Sequence, residues 1–341
     1  MLRPVPLGGL PAVRPEFRTY AGQQVKQADV VLLTYPWSRN QATEVDRSDL
    51  EFYTPLYDPE GPAMTDSVSS IISAQLGTDC ASWTYTLRSL DPFVKAPYEQ
   101  FTEARSGQGV FTFLTGEGGF LQEFLYGYSG LRWREHRLWL DPMLPPQLSG
   151  GIRLTGLRWH GRVLDVTVGP NTATVTLRSG PPATVQTPAG TGTVSVGSPV
   201  SIQTRTAGAT AENLARCRPA TANAADPSAP PAAAVDGSLV TAWASDADPA
   251  TPSSLKVTLA GPTTVSSMTA TWQDARPLAP YTVQVATGGG WHTVATVPAP
   301  AGNVDAVTFD PVTADAVRLQ IPATRFGGEN PRLAELAVGS P

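Results

Sequence analysis

Short runs of alternating apolar and polar residues fill the chain from Gly151 onward, and this pattern constrains the fold more than any other feature. A two-residue period places successive side chains on opposite faces of a strand, and glycine or proline turns separate the runs. Three longer runs, at residues 151–159, 163–168 and 173–177, precede three shorter ones between Thr184 and Thr204. The pattern predicts a small antiparallel β-sandwich over residues 141–205.

A second group of strand-like runs follows a stretch rich in Ala, Thr, Pro and Gly. That stretch, residues 206–231, has little apolar periodicity and is typical of a linker. The runs beyond it lie at residues 234–243, 255–259, 281–285, 291–294, 316–321 and 333–338. Their spacing predicts a second β-sandwich over residues 212–341, with Trp243 in its core.

The first 140 residues have a helical periodicity instead. Apolar residues recur at helical spacing, and glycine or proline ends the segments. The predicted helices cover residues 25–33, 43–57, 65–75, 79–90 and 120–126. We find no strand pattern before about Leu131, and therefore predict an array of helical hairpins over residues 1–140.

Composition narrows the class of ligand. The 341 residues carry a net charge of −5 without a basic run, which argues against a nucleic acid or an anionic membrane and favours a neutral ligand. No apolar stretch reaches the ~18 residues of a membrane span. Cys80 and Cys217 lie in segments of different character and outside any metal-spaced motif, so neither a disulfide nor a zinc site follows from the sequence.

One carboxylate has an unusual setting. Glu117 lies between Gly116 and Gly118-Gly119, just ahead of the apolar run that starts at Phe120. Glycines allow close backbone approach and unusual φ values, so Glu117 is predicted to project into a cleft as a catalytic group. The simpler alternative is a surface turn with a solvated glutamate.

Several ordered motifs within residues 12–205 resemble glycoside hydrolase family 65. They are Pro15-Glu16-Phe17, Val25-Lys26-Gln27-Ala28-Asp29-Val30, Gly61-Pro62-Ala63-Met64-Thr65, Thr115-Gly116-Glu117-Gly118-Gly119-Phe120-Leu121-Gln122, Gly127-Tyr128-Ser129-Gly130-Leu131-Arg132 and Leu144-Pro145-Pro146-Gln147-Leu148. The resemblance implies that residues 1–140 are the C-terminal part of an α/α toroid with the small β-domain behind it. The expected fold class is therefore a multidomain α + β protein: partial toroid, small antiparallel β-sandwich and second β-sandwich.

The same resemblance implies roles for three residues. Lys26 and Gln27 would hydrogen-bond the hydroxyls of the non-reducing glucose, and Glu117 would be the general base of an inverting hydrolysis. Residues 64–69 lack the histidine of the phosphate-binding loop of phosphorylases, which favours water as the nucleophile. The resemblance places the general acid on an earlier helix, so we expect the chain to begin within the toroid. The acid would then come from an N-terminal half that is either in frame upstream or separately encoded.

The second β-sandwich resembles the coagulation factor 5/8 type C, or discoidin-like, domain and its relatives in carbohydrate-binding module family 32. The resemblance rests on Asp236-Gly237 followed by Thr241-Ala242-Trp243, and on the closing Leu333-Ala334-Glu335-Leu336. It implies a carbohydrate ligand and, at Asp236, a structural calcium ion, although an Asp-Gly turn needs no metal. No cofactor is expected for catalysis, and modules of this kind favour an extracellular location.

Together the two resemblances imply an inverting hydrolase of α-glucosides, of acid-trehalase type, with an appended carbohydrate-binding module. One alternative is a non-enzymatic carbohydrate-binding protein in which only residues 212–340 are functional. Another is a relative of the disaccharide phosphorylases, which the glutamate at 117 and the threonine at 65 disfavour.

Overall fold

The chain divides into two compact units. The computed structural model describes residues 5–38, 42–77, 80–246, 251–273, 277, 279–298, 302–322 and 330–341. The N-terminal unit comprises residues 1–78 and 92–207, and the C-terminal unit comprises residues 79–91 and 208–341.

Helices are few. The α-helices are α1 (Thr43–Tyr53), α2 (Met64–Leu76), α3 (Ala81–Leu90) and α4 (Leu114–Gln122), and a π-helical segment, Glu123–Tyr128, continues α4. Short 3-10 helices span Val30–Leu33, Thr54–Leu56, Pro146–Leu148 and Pro231–Val235.

Strands make up most of the regular structure. They are β1 (Val5–Leu7), β2 (Leu10–Val13), β3 (Val94–Lys95), β4 (Gln100–Phe101), β5 (Arg132–Trp133), β6 (Leu138–Trp139), β7 (Ile152–Trp159), β8 (Arg162–Val168), β9 (Thr172–Ser179), β10 (Ala183–Thr187), β11 (Gly190–Val194), β12 (Val200–Gln203), β13 (Ala220–Ala222), β14 (Trp243–Ala244), β15 (Ser253–Trp272), β16 (Tyr281–Thr287), β17 (Gly290–Val297), β18 (Val304–Ile321) and β19 (Arg332–Gly339).

The N-terminal segment departs from the sequence prediction. The expectation of no strand before Leu131 is wrong, since β1 to β4 precede it. The helix predicted over 25–33 is also wrong, because Val25 pairs its backbone with the segment after α1: its N–H donates to Leu56 at 2.9 Å, and its carbonyl accepts from Asp58 at 2.8 Å. Only Val30–Leu33 is helical there, and the toroid stays a prediction.

The other predicted helices exist with shifted ends. Helix α2 is confirmed, and it stops at Gly77, whose φ of +64° suits glycine. Helix α1 ends at Tyr53 and gives way to a 3-10 turn that contains Pro55, a residue without a backbone N–H. Helix α3 is confirmed from Ala81, whereas Asp79, the first residue of the prediction, lies outside the described residues.

Two four-stranded sheets complete the N-terminal unit and confirm the strands predicted from the alternating pattern. Their strand orders are β11-β10-β6-β5 and β12-β9-β8-β7, and all neighbours are antiparallel except β10 and β6. Buried aliphatic side chains of both sheets share one core with residues of α2 and of the π-helical segment, among them Leu138, Leu164, Val175, Val185 and Tyr128. Alternate residues face this core, as a two-residue period requires.

The C-terminal unit is a single antiparallel sheet system around one core. Its strand order is β14-β19-β15-β18-β16-β17, and β13 pairs with β15. Trp243 is fully buried there, as predicted. The strand predicted over residues 234–243 is wrong, because Pro231–Val235 forms a 3-10 helix and only Trp243–Ala244 pairs in the sheet. The predicted linker, residues 206–231, overlaps this unit, because β13 joins the sheet and Ala215 lies in the core.

Helix α3 belongs to the C-terminal unit, and a disulfide between Cys80 and Cys217 ties it there across a sequence separation of 137 residues. The Cys80 N–H also donates to the Asp236 carbonyl at 2.8 Å, and the Thr84 hydroxyl donates to the Asp236 carboxylate at 2.6 Å. The sequence left the pairing of the two cysteines open because residues this far apart meet only in the folded chain.

Reducing this disulfide is expected to lower the free energy of unfolding of the C-terminal unit by about 2–4 kcal/mol, because the open chain gains conformational freedom when it unfolds. Urea unfolding of the full chain with and without reductant measures the change. The C80S/C217S double variant is the control: the chain has 2 cysteines, so this variant should not respond to reductant. An unchanged midpoint for the unmodified chain would contradict the prediction.

Among the described residues, no helix is both long enough and apolar enough to cross a membrane.

Candidate active site

A cavity of about 220 Å³ lies in the N-terminal unit beside Gln27, and we call it the Gln27 cavity. Its walls come from the segment around the first 3-10 helix, from α2 and from one face of α4. The lining residues that carry polar side chains are Gln27, Tyr35, Thr65, Ser67, Thr115 and Gln122. Amide and hydroxyl groups on an otherwise apolar wall suit a small neutral ligand with several hydroxyls.

Glycines bring α4 close to its neighbours. The expectation that Gly116, Gly118 and Gly119 form a turn ahead of a helix is wrong, since all three lie within α4 and none has a positive φ. A Cβ at Gly116 would lie 2.8 Å from the Cβ of Ala63, and a Cβ at Gly119 would clash with the Ser67 hydroxyl. At these two positions, therefore, glycine serves close packing against α2 and the residue before it.

The predicted site residues are only partly brought together. Gln27 lines the cavity, whereas Lys26 is 68% exposed and its Nζ lies 3.9 Å from the Glu103 carboxylate. Glu117 is half-buried in the first turn of α4. Thr115 and Gly119 line the cavity and Glu117 does not. Glu117 is two positions from each of them, and residues two positions apart point to different sides of a helix.

A tyrosine on the cavity wall is held from two sides. The Tyr35 hydroxyl donates to Oε1 of Gln122, and the Arg132 guanidinium lies 5.2 Å from the centre of the Tyr35 ring. Burial raises the pKa of the Tyr35 hydroxyl, which therefore stays protonated and remains a donor. Tyr35 was not predicted from the sequence, since its place directly before Pro36 carries no catalytic signal.

Two polar residues at the start of α2, Thr65 and Asp66, differ in whether their side chains have a partner. The Thr65 hydroxyl is buried on the cavity wall and has no hydrogen-bond partner among the described residues. The neighbouring Asp66 is buried and forms an ion pair with Arg105 at 2.8 Å. Since a buried hydroxyl without a partner is costly, Thr65 is suited to bind a ligand in the cavity.

A buried ion pair joins α1 to the residue that follows β2. The Arg14 backbone N–H and Nε donate to the two Asp49 oxygens at 2.8 and 2.5 Å, and its Nη2 lies 3.4 Å from Oδ1 of Asp46. The Thr34 hydroxyl donates to Asp46 at 2.6 Å. Sequence patterns did not predict this cluster, because Arg14 lies 32 and 35 positions from its two aspartates.

In the C-terminal unit, Asp236 accepts hydrogen bonds at both carboxylate oxygens. The Thr84 and Thr241 hydroxyls donate to Oδ2 at 2.6 and 2.8 Å, and the Ser238 N–H donates to Oδ1 at 2.8 Å. No group of three or more His, Cys, Asp and Glu residues able to hold a metal occurs in the described part of the chain. Asp236 thus joins α3 to its loop, and its role as a calcium ligand stays a prediction.

Two family models match the chain. The model of the glycosyl hydrolase family 65 C-terminal domain matches residues 131–191, and the F5/8 type C domain model matches residues 219–336. Each of these two regions is therefore similar to a domain of known family. Both matches agree with the resemblance found in the sequence.

Curated relatives are glycosidases. The chain is 33% identical over 303 residues to a cell wall acid trehalase of Arthroderma benhamiae, an alignment that covers 77% of this chain and 28% of the relative. It is 37% identical over 165 residues to the protein-glucosylgalactosylhydroxylysine glucosidase of Danio rerio, covering 48% of this chain and 25% of the relative. The chain therefore spans about a quarter of the length of these relatives.

A solved structure matches part of the chain. Chitosan-binding module 1 of a chitosanase/glucanase from Paenibacillus sp. IK-5, as the V110M variant, is 32% identical, with a TM-score of 0.35. The match covers 38% of this chain and 98% of that module.

Proposed function

We propose that this chain is part of an inverting hydrolase of α-glucosides, such as trehalose or a related glucosyl disaccharide, and that its C-terminal unit binds a glycan. The observation that carries the proposal is the Gln27 cavity. Its wall includes Gln27, which is predicted to bind glucose, and residues of α4, the helix that bears Glu117. The alignment over 303 residues with an acid trehalase supports the same class of reaction.

In this proposal Gln27 hydrogen-bonds glucose hydroxyls inside the cavity and Lys26 does so from its exposed position beside it. The Lys26 ammonium lies 3.9 Å from the Glu103 carboxylate, so this exposed ion pair is weak and a sugar hydroxyl can take the place of the carboxylate. The Thr65 hydroxyl adds a buried donor on the same wall.

The family resemblance assigns the role of general base to Glu117, which lies on α4 beside the cavity although its side chain is not part of the lining. Its carboxylate takes a proton from water while the water oxygen attacks the anomeric carbon from the face opposite the leaving group. The leaving oxygen takes a proton from a general acid, which the family resemblance assigns to an earlier segment of the catalytic domain. The bond to the leaving oxygen breaks as the bond to water forms, and the configuration inverts.

An extracellular location fits both units. The Cys80–Cys217 disulfide is typical of an oxidising compartment. The names of two relatives support the same assignment: one is a cell wall acid trehalase and the other a periplasmic/secreted acid trehalase.

The reaction is tested by following trehalose and kojibiose by proton NMR. We expect the full chain alone to be ~10²- to 10⁴-fold slower than the same chain supplied with the preceding catalytic segment of a family 65 hydrolase, because that segment provides the general acid. In the supplied sample the first anomer released should be the inverted one. A retained anomer would show that Glu117 is a nucleophile, and fast turnover by the chain alone would show that the acid lies within it.

A further inference from the structure

A second, larger cavity in the N-terminal unit has a different chemistry. Its volume is about 510 Å³, within the range of roughly 300–1,000 Å³ usual for small-molecule sites. We call it the arginine cavity, after Arg132, Arg134 and Arg205 on its wall. The other charged or aromatic lining residues are Asp46, Asp141 and Trp139.

The two aspartates of this cavity already have cationic partners. Arg205 donates through Nε to Asp141 at 2.8 Å. Oδ1 of Asp46 lies 3.4 Å from Nη2 of Arg14, which is outside the lining. Neither carboxylate forms an ion pair with Arg132 or Arg134 in the described part of the chain, although the Asp141 charge acts on Arg132.

The remaining charge lies on Arg132, which is half-buried, and on Arg134, which is exposed. Arg132 donates to the Tyr126 and Leu131 carbonyls at 2.6 and 2.9 Å and to Gln75 at 3.1 Å, all neutral acceptors. Neither guanidinium forms an ion pair with a carboxylate of the described residues. Burial lowers the pKa of Arg132 and the nearby Arg134 charge lowers it as well, whereas Tyr35, Tyr126 and Asp141 act in the opposite direction; a bound anion would add to these favourable contributions.

An indole lies next to this charge. Trp139 is half-buried and stands directly opposite Arg132 on the paired strands β5 and β6. An aromatic face beside guanidinium groups suits a ligand with both an apolar ring face and an anionic group.

We propose that the arginine cavity binds a monosaccharide that carries an anionic group, phosphate or carboxylate, with its ring against Trp139 and the anion at Arg132 and Arg134. The site is separate from the Gln27 cavity, because the two sets of lining residues share no member. It does not depend on the proposed hydrolysis.

Calorimetric titration of the full chain with glucose 6-phosphate, glucuronate, glucose and inorganic phosphate tests the proposal. We expect at least one anionic sugar to bind about tenfold more tightly than glucose and than phosphate, as a charge-assisted hydrogen bond would give. R134A should lower the affinity for that anionic sugar by about tenfold. W139L should lower the affinity for the anionic sugar and leave the affinity for inorganic phosphate unchanged.

Two controls make the result specific. Arg137 is exposed in the same β5–β6 connection and does not line the cavity, so R137A removes the same charge and should leave the affinity unchanged. Q27A removes a proposed glucose contact in the Gln27 cavity, so a loss of anionic-sugar affinity in Q27A would place the binding in that cavity and overturn the proposal. Glucose binding as tightly as the anionic sugars, equal losses for R134A and R137A, or no binding at about 10 mM ligand would each overturn the proposal.

Discussion

Replacing Glu117 with glutamine is expected to lower the rate of α-glucoside hydrolysis by ~10²- to 10⁴-fold, because the amide keeps the shape of the side chain and cannot accept the proton of the attacking water. The sample is the full chain supplied with the preceding catalytic segment of a family 65 hydrolase. Initial rates of glucose release measure the effect, and titration with the substrate should show nearly unchanged binding.

A matched comparison separates catalysis from binding. Q27A should weaken substrate binding as well as the rate, because the contacts proposed between Gln27 and glucose would exist in the ground state and in the transition state alike. E103Q is the control for charge: Glu103 contacts Lys26 and has no assigned catalytic step, so its loss should leave the rate within a few-fold. A normal rate for Glu117→Gln would remove Glu117 from the mechanism.

Replacing Arg14 with alanine is expected to destabilise the N-terminal unit by about 3–5 kcal/mol, because Asp49, which is fully buried, and Asp46 lose their cationic partner. Urea unfolding of the full chain, followed by circular dichroism and fitted for both units, measures the change. The transition of the C-terminal unit should not move.

Arg18 offers the control for this variant. It is exposed and only four positions further along the chain, so R18A should change stability by no more than about 0.5 kcal/mol. Equal effects of R14A and R18A would show that the buried ion pair contributes little to the N-terminal unit.

The alternating pattern was sufficient to predict the strands of the small β-domain. Residues 152–203 fold into the predicted strands because each run needs only one buried face, and the two-residue period states which face that is. Local patterns also predicted that Trp243 lies in a core and that the glycine at position 77 ends α2. These properties are local, and neighbouring residues determine them.

Contacts between distant segments decided the rest. Val25 lies beside the segment after α1 and not in a helix, because its backbone bonds to Leu56 and Asp58 outweigh its helical periodicity. The glycines around Glu117 lie within α4, and the reason is the close approach of Ala63 and Ser67, which no local pattern shows.

The sequence by itself therefore determined the strands of the small β-domain, parts of the longer strands of the C-terminal unit, most helices and the family resemblance, since all of these depend on periodicity and on ordered motifs. Only the tertiary structure decided the disulfide between Cys80 and Cys217, the burial of Arg14 against Asp49, and the arginine cavity beside Trp139. The physical reason is that pairing, burial and cavity shape depend on side chains that are far apart in the chain and meet only when the core has formed.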